Sequence, residues 1–146
     1  MTSRKAIFAA LFAKVSGLAG LQTVSRRVRA WGDVQPPDQP ALFQVEGKQT
    51  ARPRPGIGLG TVWTFHAELV VYAHVENTVA GADLVDLLND LVDAVVAALA
   101  PLPGLDTQML GGLVTDVRID GTIDTSEGRL GDQSVAIIPL VITATA

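Results

Sequence analysis

Residues 61–75 (TVWTFHAELVVYAHV) carry the longest strict alternation in the chain, and that pattern limits the fold more than any other. Trp63, Phe65, Ala67, Leu69, Val71, Ala73 and Val75 fall on one side at period two, while Thr64, His66, Glu68, Tyr72 and His74 fall on the other. Such a segment is a strand with one buried face. At roughly 3.3 Å per residue it would extend about 50 Å, against the ~17–20 Å of a usual strand. It is therefore expected to bend, to bulge or to reach a second copy of the chain, which is a first sign of a protein that works by assembling.

A chain of 146 residues fits one domain, here taken as 1–146, with enough length to bury a core without staples. The absence of cysteine excludes a disulfide framework, a thiolate nucleophile and a cysteine zinc site. With 48% hydrophobic residues the chain is not of the disordered class, yet no apolar run approaches the ~18 residues of a membrane span, so a soluble globular domain is expected. The net charge of −4 conceals an asymmetry: residues 1–60 hold nine Lys+Arg against three acids (+6), and residues 61–146 hold two against twelve (−10). That split suits a nucleic-acid surface, neutralisation within the fold, or head-to-tail complementarity between copies.

Arg4 and Lys5 followed by an apolar run resemble the start of a signal peptide, but Lys14 interrupts the run and Ile7, Phe8, Leu11, Phe12 and Val15 share one helical face. A helix over 4–16 is expected, with Ser3 as N-cap and Gly17 as stop. Residues 23–31 (TVSRRVRAW) alternate and predict a strand with a basic face, and 41–46 (ALFQVE) predict a short strand dividing Leu42 from Phe43 and Val45. Residues 48–60 (KQTARPRPGIGLG) read as a long flexible loop that orders on binding. After Gly81, the stripe Leu84, Leu87, Leu88, Leu91, Val92, Val95 and Leu99 predicts a helix over 82–99, whose early acids, Asp83 among them, complement its dipole. Residues 114–124 predict a continuous strand, with a tight turn at Asp120-Gly121 as the alternative, 127–132 a turn, and 134–145 a final strand that is central or shielded by a helix. Within it Pro139, lacking an N–H, predicts a bulge or an unpaired neighbour. The order α-β-β-β-α-β-β gives an α+β domain: a mainly antiparallel mixed sheet of about five strands with two helices packed on it.

Little here points to chemistry. His66 and Glu68 share a face, but His74 lies about 26 Å from His66 along an extended strand, so no metal site is expected. Gly56, Gly58 and Gly60 precede a strand, whereas a phosphate cradle opens a helix, so no cofactor is expected. Asp116, Arg118, Asp120 and Asp124 form a row that strand alternation produces on any solvated face, with no accompanying nucleophile, so no catalytic residue is assigned. Arg26, Arg27, Arg29, Arg52 and Arg54 are the best nucleic-acid candidates, without the context of a known nucleic-acid module.

The succession RVRAWGDVQPPDQPALFQVEG, a Pro/Gly loop and GTVWTFHAELVVYAHV (27–75) resembles a family of tailed-phage proteins. The later segments ADLVDLLNDLVDAVVAAL, LGGLVTDVRIDGTIDTSEGRLGDQ and VAIIPLVITA are similar to the same family in the same order, so the resemblance spans almost the whole chain. Its members are minor tail or tail-completion proteins, and the pattern is similar to tail terminators of the minor tail protein U type. The resemblance implies a structural protein, not an enzyme, at the head-proximal end of the virion tail and assembled in the host cytoplasm. It implies a hexameric ring that caps the tail tube, fixes its length and offers a head–tail joining surface, with the major tail tube protein and a head-side connector as partners and DNA passing through the channel. Membrane partners and cofactors are not implied. On this reading Arg26, Arg27, Arg29, Arg52 and Arg54 are expected at a subunit or partner interface, and Asp116, Asp120 and Asp124 on the channel wall. The rival readings are a neck or head-completion protein, a small α+β ligand-binding or enzymatic domain, and a nucleic-acid-binding module.

Overall fold

The computed structural model describes residues 3–74, 82–130 and 133–145. In chain order these form α1 (Arg4–Ser16), β1 (Thr23–Ser25), β2 (Ala41–Arg52), β3 (Val62–His74), α2 (Ala82–Ala98), β4 (Asp116–Ile119), β5 (Asp124–Leu130) and β6 (Gln133–Thr145). The strands make one six-stranded sheet in the order β1-β2-β3-β6-β4, with β5 on the same edge of β6 as β4. Only the β1–β2 pair is parallel; the α+β class with two helices and a mostly antiparallel sheet is as the sequence implies.

The long alternating segment is the centre of that sheet. β3 pairs with β2 from Val62 opposite Arg52 to Tyr72 opposite Ala41, and with β6 from Val62 opposite Thr145 to His74 opposite Gln133. Both neighbours are nearly as long as β3 itself, so its backbone groups are satisfied within one chain. Its length alone does not call for a second copy, one of the three outcomes expected of it. A register shift in β2 between Glu46 and Gln49 takes up the mismatch. Gly47 sits in it because a Cβ there would lie 2.9 Å from the His66 carbonyl oxygen.

Phe65, Ala67, Leu69, Val71 and Ala73 of β3 are buried on the helical side with Ile138, Leu140 and Ile142 of β6. α1 contributes Ile7, Phe8, Leu11 and Val15, and α2 contributes Leu88, Leu91 and Val95. The Ser3 hydroxyl accepts from the Ala6 N–H at 3.2 Å and Gly17 ends α1. Phe8 meets Phe65 edge-on at 5.8 Å, and the Arg4 guanidinium lies 4.4 Å from the Trp63 ring centre, closing the far end of the core. On the opposite face a smaller cluster of Val34, Ala41, Phe43, Val70 and Tyr72 is covered by the segment between β1 and β2. The Tyr72 hydroxyl donates to the Arg29 carbonyl at 2.9 Å, and burial raises its pKa above the ordinary phenol value.

Several boundaries differ from the sequence expectations. The strand expected over 23–31 is only Thr23–Ser25, and Trp31–Asp33 forms a 3-10 turn. Past Ser25 neither side of the alternation is apolar enough to bury, since Arg26 shares a side with Val24 and Val28, so the chain leaves the sheet. β2 continues to Arg52, well beyond 46, and the connection before β3 therefore begins at Pro53 and not at Lys48. The strand expected over 114–124 is broken between β4 and β5, and 127–130 belong to β5 and not to a turn. Val75, Gly81, Gly131 and Asp132 lie outside the described residues, as do the side chains of Asp83 and Leu84.

Pro139 explains the break. The Asp120 N–H donates to the Pro139 carbonyl at 3.2 Å, so that carbonyl faces the β4–β5 edge. The N and O of one residue in an extended strand point the same way, and the missing N–H is therefore on that edge too. The chain answers with Gly121 at φ +121, where a Cβ would meet Pro139 Cγ at 3.2 Å. Gly121→Ala should thus cost about 1–3 kcal/mol and lower the thermal midpoint by roughly 3–10 °C. A midpoint equal to that of the unmodified protein would show that the corner is unstrained.

Candidate interaction surfaces

The sheet order turns the charge asymmetry of the sequence into an asymmetry in space. β1, β2 and the segment between them occupy one edge, and β4 with β5 the other, with β3 and β6 between. The candidate arginines belong to the first edge and the candidate acids to the second.

At the first edge the five arginines are not equivalent. Arg26 is paired with Glu46, so it is already neutralised within the chain. The Arg29 guanidinium lies 5.8 Å from the Phe43 ring centre while its carbonyl holds Tyr72, so it also fastens the strap over the smaller cluster. Arg27 is exposed, its backbone N–H donating to Ser25 Oγ at 3.0 Å. Arg52 is exposed at the end of β2, opposite Val62. Arg54 Nε donates to the Gly60 carbonyl at 2.9 Å and closes the hairpin tip on itself. Gly56, at φ +131, lies under Leu59, where a Cβ would come 2.8 Å from Leu59 Cδ1. The tip thereby holds Ile57 (106% exposed) and Leu59 (51%) outward, just beyond two arginines in the chain.

At the second edge the end of α2, the segment 100–115 and β4 enclose a cleft of about 440 Å³. Val96 lines it from α2, Leu99 and Pro101 from the chain just beyond, and Val117 and Ile119 from β4; Asp106 and Asp116 supply negative charge and Arg118 positive. Gln108 holds this wall in place. Buried itself, its Nε2 donates to the Ala100 carbonyl at 2.9 Å and its Oε1 accepts the Leu110 N–H at 3.1 Å. Its carbonyl accepts the Val117 N–H at 2.8 Å, tying the segment to β4. Leu102 (50% exposed), Leu105 (47%) and Met109 (37%) leave further apolar surface on the same segment.

The candidate acids flank a cation. Arg118 NH1 donates to Asp116 Oδ2 at 2.6 Å and its Nε to Asp120 Oδ2 at 3.1 Å. These carboxylates, the bond to Asp116 foremost, raise the guanidinium pKa further above its ordinary value. Asp124 is exposed at the start of β5. With Arg118 the row Asp116, Asp120, Asp124 carries −2 and not −3. A second concavity, of about 380 Å³, lies on the open face of the sheet among Val45, Lys48, His66, Glu68 and Pro139.

The exposed aliphatic residues at the tip and around the cleft were not among the sequence candidates. The available signal was local: Ile57 and Leu59 sit in GIGLG, large apolar side chains in a stretch with no periodicity to bury them.

No protein-family model matches the chain, and no curated protein matches it. Among solved structures it is similar to a chain of the virion of a native gene transfer agent particle. The superposition covers 94% of this chain and 93% of that chain, at 10% identity and a TM-score of 0.49. That likeness assigns no role to this chain.

Replacing Gln108 by Leu keeps the bulk and removes both side-chain bonds of the clamp. Stability should fall by about 1–3 kcal/mol. In amide hydrogen exchange the Leu110 N–H should lose protection while the β3 amides keep theirs; protection unchanged at Leu110 would mean that the clamp does not hold the cleft wall.

Proposed function

We infer that this chain is a structural component of a tailed-phage type of virion, a ring-forming protein that caps the tail tube, ends its growth and offers the head-side joining surface. The observation that carries this reading is the placement of unlike surfaces on opposite sheet edges: a basic hairpin with an apolar tip on one, an acid-bearing apolar cleft on the other. A surface that meets a different surface of an identical copy makes a head-to-tail contact, which closes into a ring when the rotation permits. Charge complementarity sets the register of such a contact and speeds its formation, and the apolar groups inside it supply affinity. The resemblance read from the sequence supplies the rest: six copies, a tail tube on one side, a head-side connector on the other and DNA through the middle.

In this role Arg27, Arg52 and Arg54 are the arginines available to a partner, since Arg26 and Arg29 are engaged within the chain. Asp120 and Asp124, which do not line the cleft, are the candidates for the channel wall, where acids repel a polyanion and let it pass. No step requires covalent chemistry.

Electron microscopy of particles produced without this protein tests the assignment. Abnormally long tails are the expected result. Tails of normal length that lack heads would assign it instead to a neck or head-completion role, and particles of normal form would overturn both.

A further inference from the structure

We propose that the hairpin tip between β2 and β3 is the plug for the α2–β4 cleft of a second copy, with Ile57 and Leu59 entering the cleft and Arg52 and Arg54 meeting Asp106. This deepens the ring reading and rests on it.

Four observations point to an identical chain as the occupant. The tip is an outward apolar knob of defined shape, closed by the bond from Arg54 to Gly60 and by Leu59 over Gly56, so little ordering cost remains to be met on binding. The cleft has apolar side chains on both walls, Val96 and Leu99 against Val117 and Ile119, and is about 440 Å³, within the roughly 300–1,000 Å³ of clefts that hold compact ligands. The charges are opposite: Arg52 and Arg54 precede the knob, and the cleft, where Arg118 offsets Asp116, keeps the negative charge of Asp106. Within one chain the tip belongs to β2 and β3 and the cleft wall to β4, with β6 between them, so the two are separate surfaces.

Register adds the geometry of the partner. Arg52 is opposite Val62, Val62 is opposite Thr145, and Asp116 is opposite Thr143, so knob and cleft lie at the same end of the sheet. A neighbour placed edge to edge by rotation, with little shift along the strands, therefore brings its knob to the cleft. Rotation without a shift gives a closed ring, whereas a shift would give a filament.

The chain has no cysteine, so introduced thiols report this contact without background. In the full-length protein, Ile57→Cys on one population and Thr107→Cys on another should give a disulfide-linked pair on mixing under oxidation, and neither population alone should. Both substitutions in one chain should give a covalent ladder that stops at the ring size. Independently, Ile57→Asp should raise the concentration needed for self-association at least about tenfold, as expected for a central apolar anchor, with circular dichroism and thermal midpoint unchanged because the side chain lies outside the core. Arg52→Asp should weaken assembly, and Asp106→Arg on the same chain should restore it. Rings that form normally with Ile57→Asp and without cross-linking between tip and cleft would overturn this proposal while leaving the ring reading intact. A wild-type chain that stays monomeric at all concentrations, or a tip that cross-links only to an added tube protein, would also overturn it. If tails assembled without the chain are in addition normal, the ring reading fails separately.

Discussion

The pairing of β3 with β6 is the constraint on which everything else depends. Uninterrupted from Val62 opposite Thr145 to His74 opposite Gln133, it aligns two apolar faces into one surface. Phe65, Leu69 and Val71 then lie beside Ile138, Leu140 and Ile142, and both helices have a single floor to pack on. A slip of one residue would turn every one of these side chains to the other side of the sheet. The hydrophobic pattern therefore sets the register as firmly as the backbone bonds do.

From that centre the two sides of the chain go to different edges. The β2–β3 connection is a hairpin, so the basic first part of the sequence lies next to β3. The crossing through α2 carries the acidic part over the helical face, to the far side of β6. Charge segregation in space follows from topology acting on a charge gradient along the chain. The gradient by itself was compatible with mutual neutralisation, and the Arg26–Glu46 pair shows that some neutralisation does occur within the basic edge.

Where burial decided the structure, the sequence was legible. The alternation of residues 62–74, the helical stripe from Leu87 to Leu99, the Ser3 and Gly17 boundaries of α1 and the disruption at Pro139 each have a local physical cause and appear at the expected places. Partner-dependent features were less legible. The exposed half of β2 has no apolar face of its own; it is a strand because β3 opposite it continues outward. The basic segment after Ser25 alternates without gaining anything from pairing, and it leaves the sheet. At the candidate surfaces the arginines and aspartates could be picked out by type. Which were already engaged depended on contacts between residues distant in sequence or across a broken strand, such as Arg26 with Glu46 and Arg29 over Phe43. The knob and its cleft are built from aliphatic residues that no periodicity marks.

The parallel alignment of β2, β3 and β6 with the axis of the hairpin also has a mechanical meaning. A pull on the tip along the strands draws β2 and β3 together and loads the β3–β6 ladder in shear, all at once, because these bonds run across the strands. A pull applied sideways would instead peel them one after another. The domain is thus stiffest along the direction in which its hairpin points, and a tether seated there would bear tension through the whole sheet before any strand detached.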